Sequence, residues 1–280
     1  MNDAAAHGRN IAADLLFQRY RDPSLHAPAE WNPVLQTLLD HRSTRAFLPD
    51  PVSEAQLAAI VAAASSAATS SNLQTWSVVA VRDAGRRGRL RKLCANQAHI
   101  EQAPLFLVFL ADLARLESIA AARGETLEGT EFLEMLLIGI VDATLAAQNA
   151  VIALASMGLG SVYIGGIRNH PEAVAAELGL PERVFPVFGL CVGTPDTSRP
   201  TAIKPRLPPA AVLHHEQYNP AQATATLAAY DTRMSAFQTE QAMPDEIWTQ
   251  RCINRTRTPA ALTGRDRMRA ALANLGFALR

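Results

Sequence analysis

Two guanidiniums and a hydroxyl crowd into the heptamer 41–47 (HRSTRAF), where Arg42 and Ser43 follow His41 and Arg45 comes two positions later. Guanidinium forks and hydroxyls are the donors that hold phosphate oxygens, and a fixed planar cation also suits the electron-rich edge of a flat ring. Along an extended or turning segment, Arg42 and Arg45 do not aim at one oxyanion by periodicity, so one is available for a phosphate and the other for a second, remote acceptor. A phosphorylated, elongated ligand such as a flavin nucleotide offers both. Alone, such a stretch also serves as a solvated surface turn, and other segments must decide. One of them is the pair Lys204 and Arg206 flanking Pro205. The proline fixes the backbone and sends both cations to one neighbourhood, a pattern that solubility does not explain.

Other chemistries lack their anchors. No G-x-G-x-x-G joins a strand to a helix and no phosphate-cradling G-x-x-x-x-G-K-[ST] is present; the glycines at 158, 160, 165 and 166 follow a helix instead of opening one. There is no G-x-S-x-G and no H-E-x-x-H. His214 and His215 beside Glu216 point to different sides, so no metal is predicted. Cys94, Cys191 and Cys252 are far apart and odd in number, which argues against a disulfide framework or a zinc site and for a reducing cytoplasm. The N-terminal MNDAAAHGRN lacks the basic and apolar regions of a secretory signal. A formal net charge of +0 gives no bias toward nucleic acid or anionic membrane, leaving a small molecule as the default partner.

The elements that must position these residues alternate between helix and strand. Ser53 and Gln56 form an S-x-x-Q capping box ahead of Leu57, Ile60, Val61 and Ala64, predicting a helix over 53–67. Short apolar runs at 76–81, 105–112, 161–164 and 187–192 read as buried strands of a central sheet with helices on both faces, an α+β sandwich. The stretch 143–167 carries no charge, but its glycines stop the helical part near Gly158, too short to cross a bilayer. Together with Met135, Leu136, Leu137, Ile140 and Val141 it predicts one helix of roughly 25 residues, apolar nearly all round, buried in the core and placed in a subunit interface. Residues 1–32 read as an extension packed on the surface or on a partner chain, and 33–280 as a single domain with a helical C-terminal excursion from about 210. No internal repeat or low-complexity linker is visible.

Five segments fall into the order of a known family: HRSTRAF (41–47), SSNLQTWS (70–77), NQAHIEQAP (96–104), VDATLAAQNAVIALASMGLGSVYIGGIRN (141–169), and FPVFGLCVGTP with KPRLP (185–195 and 204–208). The chain resembles the nitroreductase-like flavoproteins, and within them the larger subfamily of oxygen-insensitive NADPH nitroreductases and NADPH-flavin oxidoreductases. The resemblance runs over about 35–230, with a weaker echo to Arg280.

It implies an α-β-α sandwich around a mostly antiparallel sheet, a fifth strand lent by the other subunit, and an intertwined homodimer with shared sites. It also implies FMN. By resemblance His41, Arg42 and Ser43 hold the phosphate and ribityl end, with Lys204 and Arg206 completing the clamp. Arg45 lies near the pyrimidine edge, where a cation stabilises the charge of the reduced ring. Thr69, Ser70, Ser71, Asn72, Leu73 and Gln74 reach the flavin of the other subunit, while Gln97, Tyr163, Ile164, Gly165 and Gly166 meet the ring or ribityl chain. The implied activity is ping-pong transfer of two electrons from NADPH or NADH to nitroaromatics, quinones or free flavins, with no dedicated protein acid or base.

Two alternatives remain open, a flavin reductase supplying a monooxygenase and a non-catalytic flavin-binding or sensing protein whose ring face is blocked by Trp76 or Phe132. Acceptor walls are expected from loops at 114–130 and 231–247. Where the relatives carry arginines for the NADPH 2'-phosphate, this chain reads TEQAMPDE (239–246). Its acidity implies a weakened preference for NADPH, unless Arg233, Arg251 or Arg255 serves instead.

Overall fold

A computed structural model describes residues 2–26, 28 and 30–280, with side chains from residue 10 onward. Met1, Ala27 and Ala29 of the expected 1–32 extension lie outside the described residues. In chain order the elements are α1 (Asn2–Tyr20), α2 (Pro33–Leu39), α3 (Glu54–Ser65), β1 (Trp76–Val81), α4 (Ala84–Leu93), α5 (Ala98–Gln102), β2 (Leu105–Asp112), α6 (Ala114–Ala121), α7 (Leu133–Ser156), β3 (Gly160–Ile164), α8 (Pro171–Leu178), β4 (Val184–Gly193), α9 (Pro209–Val212), α10 (Pro220–Ala225), α11 (Leu227–Glu240), α12 (Trp248–Thr256) and α13 (Met268–Asn274). The chain divides into a smaller unit, Met1–Arg42 with Thr201–Ala261, and a larger one, Ser43–Pro200 with Leu262–Arg280.

The larger unit is a three-layer sandwich. Its sheet has the order β1-β2-β4-β3 and every pairing is antiparallel. Alternation along β2 decides which residue serves which layer. Leu105, Leu107 and Phe109 join Leu190 and Val192 against Ile60 and Ala64 of α3 and the alanines of α7. Phe106, Val108 and Leu110 join Cys191, Val162 and Ile164 against Leu90, Ile100 and Val174 on the opposite face. Ser53 and Gln56 make the expected reciprocal capping box at the start of α3.

β4 starts earlier than the run 187–192 suggests, because Pro186 is tolerated within it. The β2–β4 register shifts between Phe109 and Leu110, and β3 pairs only with Gly189–Gly193, so Pro186 lies at a bulge with one neighbouring strand.

α7 differs more from expectation. At 24 residues, about 36 Å at 1.5 Å per residue, it is long and apolar enough to cross a membrane, so length does not exclude a span. Packing makes it a core helix: Gly139, Ala143, Ala146, Ala147 and Ala150 are buried and Asp142 is 1% exposed. Nor is it buried all round. Leu133, Leu137, Val141 and Leu145, spaced four apart, are 41–54% exposed and form one apolar stripe.

In the smaller unit Tyr230, Met234 and Phe237 of α11 pack with Leu207 and Trp248, and the Tyr230 hydroxyl donates to the Pro205 carbonyl at 3.0 Å. That bond ties down the Lys204–Arg206 segment. α1 carries Ala12, Leu15 and Arg19 into buried positions. The two expected loops are partly helical: α6 occupies the start of 114–130, and α11 runs to Glu240, leaving 241–247 as the irregular connection.

Candidate functional site

The predicted site residues fall into three local groups. The first lies in the smaller unit. Arg19 donates to the carbonyls of Leu39 at 2.7 Å, His41 at 2.6 Å and Lys204 at 3.3 Å, and the Arg206 N–H donates back to the Arg19 carbonyl at 2.8 Å. One guanidinium thus gathers His41, Lys204 and Arg206 from segments far apart in sequence. Burial, then Arg19 and Arg206, push the His41 imidazole below its ordinary value. Arg42 is exposed and pairs with Asp40 at 3.0 Å. Such surface pairs contribute about 0–1 kcal/mol, so this one holds the guanidinium only weakly.

The second group surrounds β3 in the larger unit. Ser43 bridges Ser161 in parallel and the Thr44 N–H donates to the Ser161 carbonyl at 2.8 Å, so the heptamer runs extended beside β3. Thr44 and Ala46 are buried while Arg45 is exposed. Arg42 and Arg45 do not share one target, since residues three apart on an extended chain face opposite sides. Arg45 acts on His99, whose pKa is lowered by burial and then by Arg45, and whose Nε2 is buried without a hydrogen-bond partner.

The Gln97 amide donates to the Cys94 carbonyl at 3.0 Å, held by a turn in which Ala95 and Asn96 take φ of 57° and 58°. A Cβ on Gly166 would come within 2.9 Å of that amide and 3.1 Å of the Cys94 carbonyl. A side chain there would displace the Gln97 amide and press on the Cys94 carbonyl. Ile164 buries its side chain in the core opposite Gly189 of β4, and Tyr163 turns to the other face, edge-on to Phe188 at 5.1 Å. Burial pushes the Tyr163 phenol up to about 12, so it stays protonated.

The third group is 69–74. The Thr69 hydroxyl donates to Asp142 at 2.6 Å and accepts from the Gln74 N–H at 2.9 Å, closing the segment into a loop. Asp142 also accepts from the Ser70 N–H and from the Thr75 N–H and hydroxyl. Ser71, Asn72 and Gln74 hold φ of 49°, 56° and 52°, a left-handed conformation that non-glycine residues keep only where surroundings impose it. Ser70–Gln74 therefore stand exposed, except for Leu73, on a strained, anchored loop.

The structure does not bring this loop to the second group. The loop feeds β1 and the second group flanks β3, at opposite edges of the sheet, three interstrand steps or roughly 14 Å apart. Trp76 stacks on Phe109 in the core, 6.2 Å between centroids, which is ordinary packing.

Sequence reasoning missed three residues. Arg19 carried no motif. Asp142 was legible as the acid inside an otherwise apolar helix. His99 sat unremarked within a quoted segment.

A dianionic, elongated ligand with a flat polar ring fits these groups: a buried arginine hydrogen-bonded to neutral carbonyls in one, a Cβ-free glycine beside an oriented amide in another. The fold is an α-β-α sandwich on an antiparallel sheet, and the comparisons agree with the resemblance. Residues 38–194 match the Nitroreductase family model and 204–280 the Nitroreductase family, C-terminal domain. The chain belongs to the nitroreductase family. It is 43% identical over 206 residues to an oxygen-insensitive NADPH nitroreductase of Salmonella typhimurium, covering 74% of this chain and 82% of that protein. It is 38% identical over 228 residues to an FMN reductase (NADPH) of Bacillus subtilis, covering 80% and 91%. The structure of B. megaterium NfrA2 superposes with a TM-score of 0.84 at 39% identity, over 89% of this chain and 99% of that one.

Asp142→Ala strands two N–H groups and two hydroxyls, so it should cost roughly 3 kcal/mol or more in urea unfolding, with Asp142→Asn recovering part. His41 and His99 both bind protons more weakly folded than unfolded, so their share of stability is complete above the ordinary pKa of 6.5 and falls as pH drops below it. His41→Gln should flatten the loss of urea stability between pH 7.5 and 5.5; an unchanged slope contradicts this assignment.

Proposed function

We propose that this chain is an FMN-dependent oxidoreductase that takes two electrons from NADPH or NADH and passes them, in a ping-pong sequence, to a small-molecule acceptor such as a nitroaromatic, a quinone or a free flavin. The observation that carries the reading is that the Arg19 guanidinium holds the carbonyls of His41 and Lys204 while the Arg206 N–H holds the Arg19 carbonyl, which gathers an imidazole and two cationic residues around one buried arginine. The names of the relatives accord with it. His41, Arg42, Ser43, Lys204 and Arg206 are assigned to the phosphate and ribityl end. Gln97, Tyr163, Ile164, Gly165, Gly166 and Arg45 are assigned to the ribityl chain and ring. Assignment of both sets to one cofactor rests on the family order of the motifs and on the peptide bond joining Arg42 to Ser43.

Bound there, FMN supplies the hydride-accepting and hydride-donating atom that no side chain offers. The chain's own residues do the rest. Arg206 and Arg42 neutralise the phosphate, the Gln97 amide orients the ring edge, and Gly166, lacking a Cβ, leaves that amide its place against the Cys94 carbonyl. Arg45 places a fixed positive charge where added electron density is stabilised.

The apolar stripe of α7 and the separation of 69–74 from the β3 group support a homodimer in which Thr69–Gln74 serve the second copy's site. The three free cysteines accord with a reducing cytoplasm.

The arginines available for a 2'-phosphate are engaged within the smaller unit. Arg233 pairs with Asp22 at 2.7 Å, Arg251 with Glu246 at 2.8 Å, and Arg255 donates to the Ala261 carbonyl. Discrimination between the donors is correspondingly weak.

The purified protein should show flavin absorption that bleaches anaerobically with either donor, and kcat/KM for NADPH should exceed that for NADH by less than about tenfold. A flavin that does not bleach contradicts the enzymatic reading, and a much larger ratio contradicts the donor reading. Leu137→Lys combined with Val141→Lys should yield a monomer by light scattering that loses FMN on gel filtration; a stable dimer removes the stripe from the interface.

A further inference from the structure

Arg19 lies ahead of the region matched by the family model, which begins at residue 38. We propose that Arg19, at the end of α1, is a positioning and charge-supplying residue of the phosphate site and strengthens this chain's preference for FMN over riboflavin. The proposal rests on the reading that the His41, Lys204 and Arg206 group receives the FMN phosphate.

Arg19 is 6% exposed, and its hydrogen-bond partners are the neutral carbonyls of Leu39, His41 and Lys204. Among the described residues no carboxylate lies within ion-pair distance of it; Asp40 acts from farther away and its carboxylate is taken by Arg42. The charge that acts most strongly on Arg19 is a like one, Arg206. Burying a cation beside another cation, without an anion, is unfavourable.

A staple between three carbonyls needs donors but no charge, so neutral amides would hold the same segments at lower electrostatic cost. Retaining a permanent charge is accounted for when an anion completes the group. A phosphate dianion offsets the repulsion between Arg19 and Arg206, and the planar fork that grips the His41 and Lys204 carbonyls keeps the flanking side chains in register for it. Arg19 thereby acts on the phosphate end of the ligand alone. Riboflavin, which has the ring and ribityl chain but no phosphate, separates this role from a merely structural one.

The test is binding of FMN and of riboflavin, by fluorescence quenching, to the full chain freed of flavin, for the wild type, Arg19→Gln and Arg19→Lys. Arg19→Gln should weaken FMN by about tenfold or more and riboflavin by less than about threefold, while Arg19→Lys, which keeps the charge, should hold the FMN-to-riboflavin ratio within about threefold of wild type. Equal losses for both ligands in Arg19→Gln reduce Arg19 to a structural staple, and an unchanged ratio removes it from the phosphate site; either overturns the proposal. If Arg19→Gln does not fold, Arg19→Met, equally neutral, decides: an FMN-to-riboflavin ratio lowered about tenfold supports the proposal and an unchanged ratio overturns it. A wild type that binds neither flavin refutes the FMN reading itself, whereas a wild type that prefers FMN with an indifferent Arg19→Gln refutes only the role of Arg19.

Discussion

The middle of the inward face of α7, from Gly139 to Ala150, is built from glycine and alanine around Asp142, and that choice sets the spacing of the larger unit. Gly139 shows how tight the fit is: a Cβ there would lie 3.0 Å from that of Ala111 on β2. Small side chains let a long helix lie close against the sheet, so that Asp142 reaches the backbone of Ser70 and Thr75. A leucine face would hold the helix farther away, and the carboxylate would meet nothing. At the two ends of that face Leu136, Val151 and Leu154 fill the core, and the opposite side carries a second set of large residues as the stripe from Leu133 to Leu145. Close packing inward and an apolar surface outward are two consequences of one pattern.

Asp142 turns that spacing into shape. A buried carboxylate is unfavourable unless its oxygens are fully used, and here four donors converge on it. The interaction is strong enough to hold Ser71, Asn72 and Gln74 in left-handed backbone, each costing on the order of 1–3 kcal/mol. Strain of this size persists where several bonds over-determine a segment. It makes 69–74 a rigid display of polar groups instead of a mobile turn, which is the property a binding loop needs.

Much of this was legible from the residues. The bounds of β1 and β2 follow from runs of β-branched and apolar residues ended by turn formers, and the start of α3 follows from Ser53 and Gln56, because these signals are local. The start of β4 was not legible, since Pro186 reads as a strand breaker until its neighbours are known: only β2 flanks it, and a bulge absorbs it. The exposure of one α7 face escaped for a related reason. Leucine and valine occur on both buried and unpartnered faces, and composition does not tell them apart. In the candidate site, Arg42, Arg45, Lys204 and Arg206 announce themselves through charge beside proline or serine. Arg19 does not, because its meaning lies in a contact with a residue 185 positions away. Asp142 stood between these cases, an acid with no visible reason to sit in an apolar helix.

The sheet order gives the separation of the site's parts a physical sense. β2 and β4 are filled on both faces by core side chains, so the middle of the sheet has no room for a ligand. Polar groups can gather only at its margins, where β1 and β3 leave backbone and loops uncovered. Ser43, Gln97 and Gly166 occupy one margin and the Asp142-anchored loop the other. One chain does not fold these margins onto each other without breaking the antiparallel register that buries Phe106 and Phe109. In the proposed homodimer a second copy would bring the β1 margin of one chain to the β3 margin of the other, and a two-fold axis would do so twice. The apolar stripe on α7, the helix that anchors the β1-side loop, is the surface along which that proposed pair would bury its leucines.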